Sequence, residues 1–124
     1  MQNYNSKFKT DLIGRCYSFS LDVIELTNTL PNKRSAWVIS DQLIRSATSV
    51  GANLVEGKAS SSRLEFKKFY EISLKSGNDT KYWLGLLADS KLVRQEQINK
   101  LMEEITEISN MLASGILKLK GKKF

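Results

Sequence analysis

Apolar residues recur along this chain at alternating intervals of three and four, the spacing that places side chains on one face of an α-helix. A first series ends at Pro31, and its members are Leu12, Cys16, Phe19, Val23, Leu26 and Leu30. A last series is the most regular and contains Ile98, Leu101, Ile105, Ile108, Leu112, Ile116 and Leu119. Both series predict amphipathic helices, and Gly121 is the expected end of the last one.

Two further helices are predicted between these. The second carries the stripe Leu43, Ala47, Val50 and Leu54, with Asn32 or Ser35 as its expected N-cap and Gly57 as a left-handed stop. The third starts at a capping box formed by Ser62 and Glu65. Its apolar seam is Phe66, Phe69, Ile72, Ser76, Trp83, Leu86 and Leu87. Gly77 and Gly85 weaken this helix locally, and we expect close packing at Gly85.

Short connections between four long helices predict an all-α fold, an antiparallel up-down-up-down four-helix bundle in one domain, residues 1–124. The predicted helices span roughly residues 6–30, 34–57, 62–89 and 94–120. A short basic C-terminal tail, 118–124, follows the last of them.

The composition narrows the class of protein. No apolar run approaches the roughly 18 residues that a membrane-spanning helix needs, so no membrane association is expected. The first residues lack the apolar core of a signal peptide, and Cys16 is the single cysteine. We therefore expect a cytoplasmic protein.

No group of residues predicts catalysis, a cofactor or a metal. The segment from Gly51 to Ala59 resembles a phosphate-binding loop, but its glycine spacing is wrong and it lies in a predicted helix. The chain has no histidine, and Cys16 lies on an apolar seam. The acidic residues Glu103, Glu104 and Glu107 are expected to be a solvated face. The sequence therefore predicts a protein that is not an enzyme.

The net charge of +6 is concentrated by the predicted topology. The start of the first helix, the end of the second, the start of the third and the C-terminus meet at one end of the bundle, where Lys7 and Lys9 also lie. Positive charge at one place is what binding to a nucleic-acid backbone requires. The candidate nucleic-acid-binding residues are Lys58, Arg63, Lys67, Lys68, Lys118, Lys120, Lys122 and Lys123. A solubilising lysine-rich cap is the alternative.

The second helix predicts a subunit contact. Between Ser35 and Gly57 only Asp41, Arg45 and Glu56 are charged, which leaves a small, neutral outer face. The candidate interface residues are Arg45, Ser49, Ala52, Asn53 and Glu56. The alternative is a helix shielded by long neighbouring side chains.

An aromatic pair, Tyr82 and Trp83, follows the middle of the third helix. Aromatic side chains of this kind serve as platforms on which bases stack. The seam favours a different interpretation, with Trp83 in the core and Tyr82 at its rim.

The chain resembles the four-helix-bundle family of proteins encoded in intervening sequences of bacterial 23S ribosomal RNA. The residues that carry the resemblance include Gln42, Leu43, Ile44, Arg45, Ser46, Ala47, Ala52, Asn53, Glu56, Gly57, Ser76, Asp79, Thr80, Tyr82 and Trp83. The resemblance implies a bundle that assembles into a ring-shaped homo-oligomer, typically a pentamer. A distant branch, the accessory variability proteins of diversity-generating retroelements, consists of basic pentamers that bind nucleic acid and partner a reverse transcriptase.

Together, charge and resemblance predict a non-enzymatic, homo-oligomeric, pentameric bundle that binds RNA or DNA through its basic end. The alternative is a scaffold that docks a partner protein such as a reverse transcriptase and does not bind nucleic acid directly.

Overall fold

The computed structural model describes residues 11–120, which form four α-helices and no strand. The helices are α1 (Leu12–Asn28), α2 (Arg34–Lys58), α3 (Arg63–Asp89) and α4 (Gln95–Lys120). The prediction of an all-α chain with four helices is confirmed. Gly121, the expected end of α4, lies outside the described residues. None of the helices within 11–120 is long and apolar enough to cross a membrane.

Each helix packs against the next one along the chain, and α4 returns to pack against α1. The α1–α2 contacts run in opposite directions along the two helices. Near the start of α1, Lys58 Nζ lies 3.1 Å from Asp11 Oδ2, and further along Ser20 Oγ donates to the carbonyl of Ala47 at 3.5 Å. This is the contact pattern expected of an up-down-up-down bundle.

The first helix is shorter than predicted because Asp11 caps it. The backbone of Asp11 is extended, and its carboxylate accepts a hydrogen bond from the N–H of Gly14 at 2.9 Å. Such a cap satisfies a backbone donor that has no partner within the helix. The helix therefore begins at Leu12 instead of near residue 6, and it ends at Asn28, two residues before the predicted end.

The N-cap residues of α2 and α3 were predicted with different success. Ser62 is the N-cap of α3 and accepts from the N–H of Glu65 at 3.1 Å, as the capping-box pattern predicts. The predicted N-cap of α2, Asn32 or Ser35, is wrong. Lys33 occupies that position, and its side chain makes no capping hydrogen bond.

Glycine positions mark where the helices approach most closely. Gly57 is not a left-handed stop: it is buried within α2, and a Cβ there would lie 3.2 Å from the Cβ of Phe69. The expectation of close packing at Gly85 is also wrong, since nothing lies within 4 Å of a Cβ built there. Gly77 is the tight position of α3, because its Cβ would lie 2.8 Å from Ser109 Oγ.

The seam of α4 lies in the core as predicted from Ile98 to Ile116, whereas of the predicted seam of α3 only Leu87 is fully buried. Ile72 and Leu86 are both 37% exposed, and Trp83 is only partly buried. The residues of α3 that are buried are Ser73, Gly77, Thr80, Leu84 and Leu87. Small side chains occupy most of this stripe because α2 and α4 approach α3 closely there.

A pair of glycine substitutions tests this packing. We expect Gly85→Ala to raise the free energy of unfolding by roughly 0.5–1 kcal/mol, because alanine is the better helix former and has room there. Gly77→Ala should lower it by about 1–2 kcal/mol, since overpacking outweighs the helix propensity. Urea denaturation measures both. Adding Ser109→Ala to Gly77→Ala should restore stability, and equal stabilisation by the two glycine variants would contradict the described α3–α4 contact.

Candidate nucleic-acid interface

Six of the predicted nucleic-acid-binding residues lie at one end of the bundle. This end, called the basic end below, joins the end of α2, the start of α3 and the end of α4. Its described members are Lys58, Arg63, Lys67, Lys68, Lys118 and Lys120, of which Lys67 is partly exposed and the others are exposed. The predicted residues Lys122 and Lys123, together with Lys7 and Lys9, lie outside the described residues.

Two contacts hold the basic end together. Lys58 forms an ion pair with Asp11, which joins the end of α2 to the start of α1. Gly115 on α4 faces the ring of Tyr70 on α3, and a Cβ at Gly115 would lie 2.8 Å from Tyr70 Cε2. The N–H of Gly14 and, next, the Lys58 ammonium lower the pKa of Asp11. Asp11 therefore stays ionised at neutral pH and offsets one of the six cations.

The opposite end of the bundle is also basic, a feature that the sequence analysis missed. Lys33 and Arg34 lie at the start of α2, while Lys91 and Arg94 lie in the connection between α3 and α4. The sequence could have indicated this second basic end, because these four cations lie beside the α1–α2 and α3–α4 connections, which meet there in an up-down bundle. Charge is therefore spread over both ends, and the basic end has the larger number of described cations.

Acidic side chains collect along the groove between α1 and α4. Arg15 Nε donates to Glu104 Oε2 at 3.0 Å, and its Nη2 lies 3.4 Å from Glu107 Oε2. The expected solvated face is present at Glu103 and Glu107, which are exposed, whereas Glu104 is partly buried and pairs with Arg15 of α1. The other acidic residues along this groove are Asp22 and Glu25.

The predicted interface residues of α2 differ in how far they are exposed. Ser49 and Asn53 are partly buried on the side of α3: Asn53 Nδ2 donates to Ser49 Oγ at 2.9 Å, and Ser76 Oγ donates to the same hydroxyl at 2.9 Å. The Ser49–Ser76 hydrogen bond joins α2 to α3, whereas the bonds of Asn53 stay within α2. Ala52 and Glu56 are exposed on the outer side of α2.

An apolar groove of about 390 Å³ runs between α1 and α2. Leu21, Ile24 and Val55 line it and are 46%, 40% and 45% exposed, and Ala52 borders it. The sequence analysis did not single out Leu21 and Ile24, although their spacing of three is a second apolar stripe beside the core seam of α1. This groove exposes several apolar side chains of α1 and α2 to solvent.

A second cleft, of about 350 Å³, separates α2 from α3 and contains the aromatic pair. Tyr82 is 63% exposed at the rim, and Trp83 is partly buried against the core. Their rings meet edge to face with centroids 5.2 Å apart. Arg45, a predicted interface residue, lines the same cleft.

Cys16 is buried between α1 and α2 at 1% exposure. Burial raises the pKa of its thiol to about 12, so the reactive thiolate is scarce at neutral pH. Among residues 11–120, no group of three or more His, Cys, Asp or Glu side chains has the arrangement of a metal site.

The fold and the charge distribution define a class of protein: a small helical bundle with cations at both ends, an apolar groove on one side and a polar cleft on another.

The family model described as 23S rRNA-intervening sequence protein matches residues 9–114. The chain belongs to this family, and the resemblance noted in its sequence is confirmed.

A solved structure agrees with this assignment. A crystal structure of a protein with unknown function from the S23 ribosomal protein family, from Bacteroides thetaiotaomicron VPI-5482, is 34% identical to this chain. The match covers 86% of this chain and 98% of that one, with a TM-score of 0.80. No curated protein matches the sequence.

The buried thiol gives a direct test of the α1–α2 packing. Because the folded state holds Cys16 protonated, we expect negligible reaction with Ellman's reagent at pH 8 within minutes, and rapid reaction in denaturant. The raised pKa of Cys16 also makes stability depend on pH. Its contribution to the free energy of unfolding is fully present below the ordinary thiol pKa near 9 and is lost as pH rises toward 12. A native thiol that reacts as fast as the unfolded one would contradict the burial described.

Proposed function

We propose that this protein is a non-enzymatic, cytoplasmic homo-oligomer that binds RNA or DNA through its basic end. The observation that carries the proposal is the convergence of six cations from α2, α3 and α4. Lys58 among them forms an ion pair with Asp11 at 3.1 Å. Phosphate groups are the partners that such a surface suits, because each contact releases condensed counterions.

The lack of histidine and the burial of the single cysteine favour binding over catalysis. The sequence contains no histidine, and the Cys16 thiol is protonated and buried. Nucleic-acid binding needs neither of them, since positioned positive charge supplies most of the non-specific affinity.

Assembly into a ring, with five subunits as the family resemblance implies, would multiply this charge. Five copies of a chain at +6 carry about +30. The groove between α1 and α2 supports a contact between copies, because exposed apolar side chains there gain by leaving water. Of the five predicted interface residues, Ala52 borders this groove and Glu56 is exposed, whereas Ser49, Asn53 and Arg45 lie toward α3. A contact between two different faces of the subunit closes a ring when the rotation allows it.

A second candidate function is a scaffold that docks a partner protein, such as a reverse transcriptase, without direct nucleic-acid binding. The same apolar groove favours it, since a partner helix and a second subunit would both cover Leu21, Ile24 and Val55. The two candidate functions differ in whether the purified protein retains nucleic acid on its own.

Charge neutralisation at the basic end tests the main proposal. The variant combines Lys67→Gln, Lys68→Gln, Lys118→Gln and Lys120→Gln. We expect it to bind random single-stranded RNA and duplex DNA more weakly, and the slope of log K against log salt to fall in magnitude by about 3. Fluorescence anisotropy at four salt concentrations measures both quantities.

The opposite end provides a control with the same charge change. Lys33, Arg34, Lys91 and Arg94 are replaced by glutamine, which should leave most of the affinity in place. An equal loss in both variants would show that net charge alone matters and would contradict the proposed site. No binding by the unaltered protein at low salt would favour the scaffold.

The subunit contact has its own test by light scattering. We expect a mass several times the chain mass of 14.0 kDa, and we expect Leu21→Glu with Val55→Glu to reduce it to one chain, because a buried charge without a partner is costly. Leu117→Glu, at a residue 69% exposed on α4, is the control and should leave the mass unchanged. A monomer in the unaltered protein would refute the oligomer.

A further inference from the structure

The cleft between α2 and α3 contains polar groups that the fold does not use. Gln42 and Arg45 approach it from α2, while Asp79 and the aromatic pair approach it from α3. The side chains of Gln42, Arg45 and Asp79 make no hydrogen bond or ion pair with any described residue. Three unpaired polar groups of different kinds therefore face one cleft of about 350 Å³.

The hydroxyl groups at the base of the cleft already have hydrogen-bond partners. Ser76 Oγ donates to Ser49 Oγ at 2.9 Å, and Thr80 Oγ1 donates to Ser46 Oγ at 3.0 Å. These bonds hold the two helices in register and leave the unpaired groups at the rim. Such an arrangement, a fixed base with a few convergent polar groups above it, is typical of a small-ligand site, and the volume lies within the usual range.

The chemistry of the rim fits a nucleobase. Tyr82 offers a ring that is 63% exposed, and every base has a flat face that stacks on such a ring. The edge of a base carries both donors and acceptors. Arg45 supplies donors, Asp79 supplies acceptors and Gln42 supplies both, so one base edge can be met by these three side chains.

A line of exposed residues on α3 connects the cleft to the basic end. Lys68, Lys75 and Tyr82 are exposed and follow each other at intervals of seven residues, so they lie on one side of the helix. Each interval is about 10.5 Å, which places Tyr82 about 21 Å from Lys68. A strand whose phosphates contact Lys68 and Lys75, and pass the exposed Glu71 between them, arrives at the aromatic ring.

We propose that the α2–α3 cleft binds an unstacked nucleobase, with Tyr82 stacking on its face and Gln42, Arg45 and Asp79 bonding to its edge. The base belongs to a single strand whose backbone follows Lys75 and Lys68 to the basic end, and this path rests on the proposed function. A duplex does not fit, because its bases are stacked and paired. A free nucleotide offers the same base and is the other source that the test separates.

Trp83 reports on the cleft directly. In a Trp37→Phe background it is the remaining tryptophan of the two in the chain. We expect a single-stranded ten-nucleotide RNA to quench its fluorescence, and a duplex of the same sequence to leave it unchanged. Tyr82→Ala should weaken binding of the single strand about tenfold, and Tyr82→Phe should restore it, because stacking needs the ring and not the hydroxyl.

The controls separate this site from the basic end. Leu86→Ala removes an exposed apolar side chain of α3 that lies outside the cleft, and it should leave quenching and affinity unchanged. Neutralising Lys67, Lys68, Lys118 and Lys120 should weaken the strand but not the response of Trp83 to saturating adenosine monophosphate. Quenching by the mononucleotide without strand binding would support the base site and overturn the path.

Two outcomes overturn the proposal as a whole. In the first, Tyr82→Ala and Arg45→Ala leave strand affinity and Trp83 fluorescence unchanged while the basic-end variant still weakens binding. The nucleic-acid function would then stand without a base site. In the second, Tyr82→Ala or Arg45→Ala changes the mass found by light scattering, which would make the cleft a contact between copies of this chain.

Discussion

The ladder of hydroxyl hydrogen bonds between α2 and α3 is the interaction on which the other features depend. Ser73 Oγ, buried at 0% exposure, donates to the carbonyl of Val50 at 2.8 Å, and Thr80 Oγ1 donates to Ser46 Oγ at 3.0 Å. Buried hydroxyls are costly without partners, so these helices are stable only at the separation and register that provide them. The ladder therefore selects one pairing of α2 with α3.

The close approach of α2 and α3 also explains why Tyr82 lies at the rim of the cleft between them. Because small hydroxyl residues fill the space between α2 and α3, several large side chains of α3 lie on its exposed side, while Leu84 and Leu87 remain in the core. Ile72 and Leu86 are 37% exposed, and Tyr82 is 63% exposed. Trp83 lies between, partly buried and with its ring against that of Tyr82. A packing requirement thus places an aromatic ring beside unpaired polar groups, and the candidate binding site follows from the way the bundle is held together.

The sequence predicted the number and type of the helices because three of the four seams follow a simple apolar period. For α3 the apolar period was misleading. An apolar count ranks Ile72 above Ser73, yet Ser73 is the buried one, because a hydroxyl with a partner on the next helix can lie in the core. The prediction that Gly57 ends α2 was wrong for a related reason. Its lack of a side chain allows close contact with Phe69 and does not mark a turn. Such contacts depend on the neighbouring helix, which no local pattern contains.

The distribution of charge constrains how a nucleic acid lies on this bundle more strongly than the net charge does. Asp22, Glu25, Glu103, Glu104 and Glu107 line the α1–α4 side and outnumber its cations Arg15 and Lys100. A phosphate backbone is repelled from that side. The groove between α1 and α2 is apolar and gives phosphates no partner. The exposed Lys68 and Lys75 of α3 offer phosphates partners on a route from the basic end that passes the α2–α3 cleft, with Glu71 as the one acidic side chain between the two lysines.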